Sequence, residues 1–314
     1  QTLRGTIIDI DSKIPLIGAT VKVAGSDPLI GTTTDLNGEF RLEKIVVGRI
    51  TLQLSYIGYE NKTIADIELN SGKEIVLNLG MQESVLELQG VVIKANMNKG
   101  EALNQMALIS SRSISTAETK RYAGGLSDPS KILTNFSGVT TSQNGQNDII
   151  VRGNSPKYVQ WRLDGVEIPN PTHFADQNSI TGGISALNNS LLSTSDFSTA
   201  AFAPEYGDVL SGVYDVKLRN GNNQKYETSL GIGIQGTEAT LEGPLKKGYG
   251  GSFLVNYRYS TISLLNKLGL IKIDGDLAYQ DGAFKVVLPT KNAGVFSFFG
   301  LIGASGGKVK DVKA

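Results

Sequence analysis

The sequence predicts a mainly β protein, and three observations carry that reading. Apolar and polar residues alternate with period two along most of the chain, as half-buried strands require. The 37 glycines punctuate those runs as turn residues. The 11 tyrosines add the aromatic complement that strands favour. A chain of 314 residues, 40% hydrophobic and 19% charged, has room for two or more domains. Its 30 basic and 30 acidic side chains cancel, so no overall field draws it to nucleic acid or to an anionic surface. Cysteine is absent, which excludes disulfides and thiolate metal sites and leaves the redox compartment unread. No apolar run approaches the roughly 18 residues of a membrane helix. The chain opens at Gln1 without a start Met or a basic and apolar leader, as a mature protein does after signal-peptide removal and as an engineered start also would.

Residues 1–80 read as a β-sandwich. In "LRGTIID", Leu3, Gly5 and Ile7 share a face; in "GATVKV", Ala19, Val21 and Val23 oppose Thr20 and Lys22; in "ITLQLSYIGY", Ile50, Leu52 and Leu54 oppose Thr51, Gln53 and Ser55. The loop "TDLNGEF" carries Asp35, Asn37, Gly38 and Glu39. It lacks the alternating carboxylates and closing Glu of a calcium loop, so a tight turn with Gly38 at positive φ is expected in place of a metal site. With "PLIGATVKV", "GTTTDLNGEFRL" and "LSYIGYE", the segment resembles the carboxypeptidase-regulatory-like domain, a transthyretin-like sandwich of about seven strands. That name does not imply an enzyme here. A metallocarboxypeptidase holds zinc with two His and a Glu, and this chain has one histidine, His173. The domain is expected to be an accessory, with no catalytic residues, metal or cofactor.

Residues 100–224 read as an α+β unit. Ser115 and Glu118 have capping-box spacing for a short helix through Lys120, stopped by Gly124 and Gly125. In "SDPSKILTNFSGV", Asp128 is placed to cap a second helix and Pro129 to open it, with Ile132, Leu133 and Phe136 on one face and Gly138 at the end. Val159, Trp161 and Leu163 alternate with Gln160 and Arg162 before Asp164-Gly165, a two-residue hairpin signal. The phrases "DPSKILTNFSGVTT", "NDIIVRGNSPKYVQWRLDGVEIPNP" and "APEYGDVLSGVYDVKLRNGN", in that order, closely resemble the plug domain of TonB-dependent outer-membrane transporters. The resemblance implies that Arg152, in "VRG", faces acidic groups on the barrel wall and latches plug to barrel; its other reading is a solvated strand arginine. His173, in "NPTHFAD", is expected to be structural or solvated before it is a ligand contact.

Residues 225–314 carry longer alternating strands. Leu230, Ile232 and Ile234 oppose Ser229, Gly231, Gly233 and Gln235; Phe253, Val255, Tyr257 and Tyr259 oppose Leu254, Asn256 and Arg258; "AYQDGAFKVVLP" and "GVFSFFGLIG" follow, joined by "TKNA". Such a pattern suits a transmembrane barrel strand, and a soluble sandwich strand gives a similar one. After a plug, the resemblance implies the first strands of a transmembrane β-barrel. Four or five strands fall short of the roughly eight of a minimal barrel and the roughly 22 of a plugged one, and open edges cannot be left in lipid. The native protein is therefore expected to extend beyond Ala314.

Between sandwich and plug lies the linker 81–99, with the β-prone run Leu88, Gln89, Gly90, Val91, Val92, Ile93, Lys94 and Ala95. It resembles a TonB box, an extended segment that adds itself as a strand to a partner's sheet edge. The alternative is a last strand of the sandwich; the box is preferred because Met81 to Leu88 departs from the sandwich's alternation. The resemblance as a whole implies a TonB-dependent receptor of the Bacteroidetes type, in the cell outer membrane with its N-terminal domain and plug base periplasmic. It implies energised uptake of an extracellular ligand, driven by the TonB, ExbB and ExbD complex, with outer-membrane lipid around the barrel and a surface lipoprotein as a further partner. Lys94, Ala95 and Asn96 depart from the "VVVGYG" of the glycan-importing type, which weakens the expectation of that lipoprotein. The rival reading is a plugged-barrel subunit of a larger outer-membrane or secretion assembly, structural in role.

Overall fold

The computed structural model describes residues 1–84, 110–125, 127–141, 148–174, 183–233, 236–271, 276–290 and 293–308. The chain divides into two compact units, Gln1–Lys99 and Gly100–Ala314. The first is a two-sheet sandwich. Strands β1 (Leu3–Asp9), β4 (Glu39–Leu42) and β7 (Ile75–Met81) form one sheet in the order β4-β1-β7; β2 (Thr20–Val23), β3 (Gly31–Thr33), β5 (Gly48–Ser55) and β6 (Lys62–Leu69) form the other in the order β3-β2-β5-β6. The alternation read from sequence places the core. Leu3, Ile7, Ala19, Val21, Leu52 and Leu54 are all buried, each large one contributing about 2 kcal/mol by its removal from water. The "TDLNGEF" loop is a turn: the Asp35 carboxylate accepts from the backbone N–H of Asn37 and Glu39 at 2.9 and 2.8 Å, and Gly38 has φ 70°.

One feature of the sandwich was not legible. β1 pairs with β7 in parallel, Gly5 opposite Leu77, and a Cβ at Gly5 would lie 1.8 Å from the Leu77 carbonyl oxygen. A side chain there collides with backbone and cannot be relieved by a rotamer change.

In the second unit, the central sheet runs in the order β12-β11-β16-β15-β8, from β8 (Ser111–Ile114), β11 (Val159–Leu163), β12 (Val166–Ile168), β15 (Ser195–Ser198) and β16 (Gly212–Val216). Two short pairs, β9 (Val139–Thr140) with β10 (Ile150–Val151) and β13 (Thr172–His173) with β14 (Ile184–Ser185), flank it. The expected capping box opens helix α1 (Thr116–Arg121), Ser115 and Glu118 each accepting from the other's backbone. The second expected helix is instead a 3-10 turn over Lys131–Asn135. Asp128 does not cap it: its Oδ1 accepts from the Ser130 backbone at 2.9 Å, closing a tight turn one step earlier. The Asp164-Gly165 hairpin forms, both residues at positive φ as a primed turn requires.

The last five strands, β17 (Glu227–Ile232), β18 (Thr237–Pro244), β19 (Ser252–Tyr259), β20 (Asp276–Pro289) and β21 (Val295–Lys308), form an antiparallel meander in chain order. A helix absent from the sequence reading, α2 (Thr261–Lys267), interrupts the β19 to β20 connection. The core is continuous with this meander: Trp161, Phe197, Tyr214 and Leu218 cluster with Leu254 and Ala283, while Phe299 and Leu301 pack against it.

Replacing Gly5 with alanine is expected to destabilise the sandwich by about 3 kcal/mol, the upper end of overpacking costs, because the obstacle is main chain. Chemical denaturation of the Gly5→Ala variant checks this; a loss under about 0.5 kcal/mol, the level of a neutral surface change, would mean that β1 and β7 do not pair at Gly5.

Candidate functional site

The meander wears its hydrophobic side outward. Cross-strand registers align Leu241 with Val255 and Phe284, Gly243 with Phe253, Val286 and Phe298, and Ala239 with Tyr257, Gly282 and Ile302. Leu230, Ile232 and Ile302 on this face are 81%, 84% and 73% exposed. The opposite face carries the rows Glu238, Arg258, Asp281 and Glu242, Leu254, Lys285; of these, all but Glu238 are buried. A soluble sheet turns its apolar face to its own core. Here the core side is chiefly polar and charged, around an apolar centre at Leu254, Ala283, Phe299 and Leu301.

Those wall charges are buried because the α+β unit packs on them, and each finds a partner there. Arg258 forks onto Asp281, with Nε 3.2 and 3.0 Å from Oδ1 and Oδ2 and one terminal nitrogen 2.7 Å from Oδ2. The same terminal nitrogen donates to the Ser185 carbonyl at 2.6 Å. His173 Nε2 donates to Asp281 Oδ2 at 2.9 Å, and the Tyr279 ring lies 4.9 Å from the imidazole and 5.6 Å from the guanidinium. β21 can pass this close only at a residue with little side chain: a Cβ at Gly303 would stand 3.1 Å from His173 Cε1. Behind the cluster, Asp128 Oδ2 accepts from the Ser185 backbone at 3.1 Å.

Further along the wall, Arg219 grips Glu242 through two parallel bonds of 2.7 and 2.8 Å, and the Asn222 backbone donates to the same carboxylate at 3.0 Å. Lys285 lies 2.8 Å from Asp164 and donates to the Leu218 carbonyl at 2.9 Å. Asn188 bonds to Glu238 and, at 3.2 Å, to Asn256. Pairing of this kind is what keeps buried carboxylates tolerable. Deeper in the α+β unit, burial pushes the Tyr214 phenol well above its ordinary range, and the nearby Asp128 charge adds to the effect; its hydroxyl donates to the Pro129 carbonyl at 3.2 Å.

Arg152 is exposed at φ 52°, its backbone N–H donating to the Gly138 carbonyl at 2.7 Å, and among the described residues it makes no ion pair with the wall. The described contacts to the wall are carried by side chains of Asp164, His173, Asn188, Ser190 and Arg219 and by the backbone of Ser185, Leu218 and Asn222. His173, expected to be structural or solvated, is buried and bonded to the wall. The run Leu88 to Ala95 lies outside the described residues. Among the described residues no cluster of His, Cys, Asp and Glu could hold a metal. Glu238, Glu242, Asp281 and Lys285 carried a usable sequence signal, because each is a charge on the polar parity of an alternating strand. Their partners carried none: His173 and Asp281 are 108 positions apart.

Residues 3–93 match the CarboxypepD_reg-like domain. Residues 104–214 match the TonB-dependent Receptor Plug Domain. No curated protein matches the chain. The siderophore receptor PirA from Pseudomonas aeruginosa is similar over 63% of this chain and 36% of its own, at 14% identity and TM-score 0.42. The ferric enterobactin receptor PfeA of the same organism, in complex with enterobactin, is similar over 63% and 33%, at 13% identity and TM-score 0.42. A type II cohesin, X-dockerin complex from Acetivibrio cellulolyticus is similar over 26% of this chain and 56% of its own, at 23% identity and TM-score 0.23. The chain thus spans about a third of the length of the two receptors.

Removing Arg219 leaves Glu242 buried and short of its fork. Arg219→Ala is expected to destabilise the second unit by about 3 kcal/mol, the low end for a broken buried pair because Arg219 is itself a quarter exposed. Glu242→Gln in the same background should recover part of the loss. Urea unfolding in detergent of the single and double variants measures both; strictly additive effects would show that the two side chains do not act as a pair.

Proposed function

We propose that this chain, which joins a carboxypeptidase-regulatory-like domain to a TonB-dependent receptor plug domain, acts as an outer-membrane receptor for energised uptake of an extracellular ligand. The observation that carries the reading is the inverted sheet: its apolar face points away from the plug and its charged face is paired to it. Apolar-out, polar-in alternation is the pattern of a barrel wall in lipid. Main-chain groups at the β17 and β21 edges need strand partners in that setting.

In this reading the plug fills the lumen, and the sandwich and plug base lie in the periplasm. The TonB, ExbB and ExbD complex draws on the segment Leu88 to Ala95. An extended β-branched run adds to a sheet edge through main-chain hydrogen bonds, and a pull along the strand loads those bonds together. Arg152, exposed and outside the described wall contacts, is assigned to acidic groups on strands other than these five. No step requires catalytic chemistry.

Deleting Leu88 to Ala95 is expected to abolish energised uptake and to weaken binding of the purified periplasmic domain of TonB at least tenfold, with membrane insertion intact. Uptake that persists without the segment would favour a structural subunit of a larger assembly, or a box elsewhere in the linker.

A further inference from the structure

The helix α2 stands at one end of the wall, and its contacts fix the side on which it lies. Outward parity on β18 and β19 belongs to Thr237 and Tyr259, which are register partners. The Thr261 hydroxyl lies 3.0 Å from that of Thr237 and donates to the Gly233 carbonyl at 2.7 Å. The Ser263 hydroxyl lies 3.3 Å from the Tyr259 hydroxyl. Lys267, in the last turn, bonds to the same hydroxyl, with its ammonium 5.0 Å from the ring centre. The helix is therefore folded onto the outer surface of the sheet, over the rim of the apolar face, and not across the lumen.

Its free side is apolar. Ile262, Leu268 and Leu270 are 47%, 64% and 69% exposed, on a helix and turn that begin just past Tyr259, the last outward residue of the strand that carries Val255 and Tyr257. From Ser260 to Ile271 the sequence holds one charged residue, Lys267; Lys272, Asp274 and Asp276 follow. A short segment of leucines with lysine at its edge, continuous with a lipid-facing surface, has the composition of an interfacial element. Lysine in such a place extends its charge toward the headgroups while its stem lies on apolar surface.

We infer that α2 and its C-terminal turn form a lipid-contact site at the membrane interface, in which Leu268 and Leu270 enter the acyl boundary and Lys267, positioned by Tyr259, meets the phosphate of an anionic lipid headgroup. The site rests on the membrane reading of the sheet. It adds to that reading a fixed depth for the barrel rim and a preference among lipids.

The absence of native cysteine makes the test direct. Single-cysteine variants Leu270→Cys and Phe298→Cys of the full chain carry an environment-sensitive fluorophore in vesicles of phosphatidylcholine, alone or mixed with phosphatidylglycerol. Lipid-attached quenchers should reach both labels, shallow ones preferentially at position 270 and deep ones at position 298. Adding Lys267→Glu should lower the enrichment of anionic lipid around the 270 label about fivefold, equivalent to the ~1 kcal/mol of one surface lysine. If the 298 label is reached by lipid while the 270 label is reached only by aqueous quencher, or by neither because protein covers it, the lipid site is wrong and the membrane reading stands. If the 298 label reads as water, both fall.

Discussion

A carboxylate withdrawn from water must be paired, and the second unit is organised by that constraint. Asp281 and Glu242 stand on the concealed face of an antiparallel sheet, with side chains almost wholly buried. Each alone would be costly by several kcal/mol. Each instead receives a forked arginine, one from the neighbouring strand and one from the chain that follows β16. Because Arg258 also donates to the Ser185 carbonyl, and Asp281 also accepts from His173, the pairing inside the wall extends directly into the domain packed on it. Seating that domain and satisfying the wall are the same event.

The distribution of these contacts is informative about function. They draw on Asp164, on the segment from His173 to Ser190, and on the stretch from Leu218 to Asn222. The contacts are chiefly hydrogen bonds and ion pairs, with an apolar centre at Leu254, Ala283, Phe299 and Leu301. The interface therefore combines polar pairing with part of the unit's own apolar core.

The outer face obeys the opposite rule. Leu230, Ile232, Phe298 and Ile302 are exposed in a pattern that would be an aggregation hazard in water and is the requirement in lipid. The same alternation that predicted strands thus supports either solvent, and the choice between them is made by what lies on the other face. At the rim, Thr237 and Tyr259 hold α2 against this surface through hydroxyl contacts, so the apolar band does not end abruptly at the strand termini.

Local chemistry in the sequence determined much of this protein. Period-two alternation placed β1, β2 and β5 of the sandwich and β17, β19, β20 and β21 of the last sheet; Ser115 with Glu118 wrote a capped helix; Asp164-Gly165 wrote a hairpin; Asp35 and Gly38 wrote a turn in place of a metal loop. Each depends on neighbours a few residues apart, so it is readable from the order of residues. Asp128 was misread as a helix cap because its side chain serves a tight turn and a remote backbone N–H at Ser185, a distant demand that overrides helix propensity. The parallel pairing of β1 with β7, the outward fold of α2 and the identity of the wall partners were decided by tertiary structure alone. Charge on a strand shows that a partner is needed, but which of the chain's 30 basic side chains supplies it is fixed by which segments the fold brings within hydrogen-bond distance. For Asp281 the partners were Arg258 and His173, and for Glu242 Arg219, because burial left those carboxylates no water to turn to.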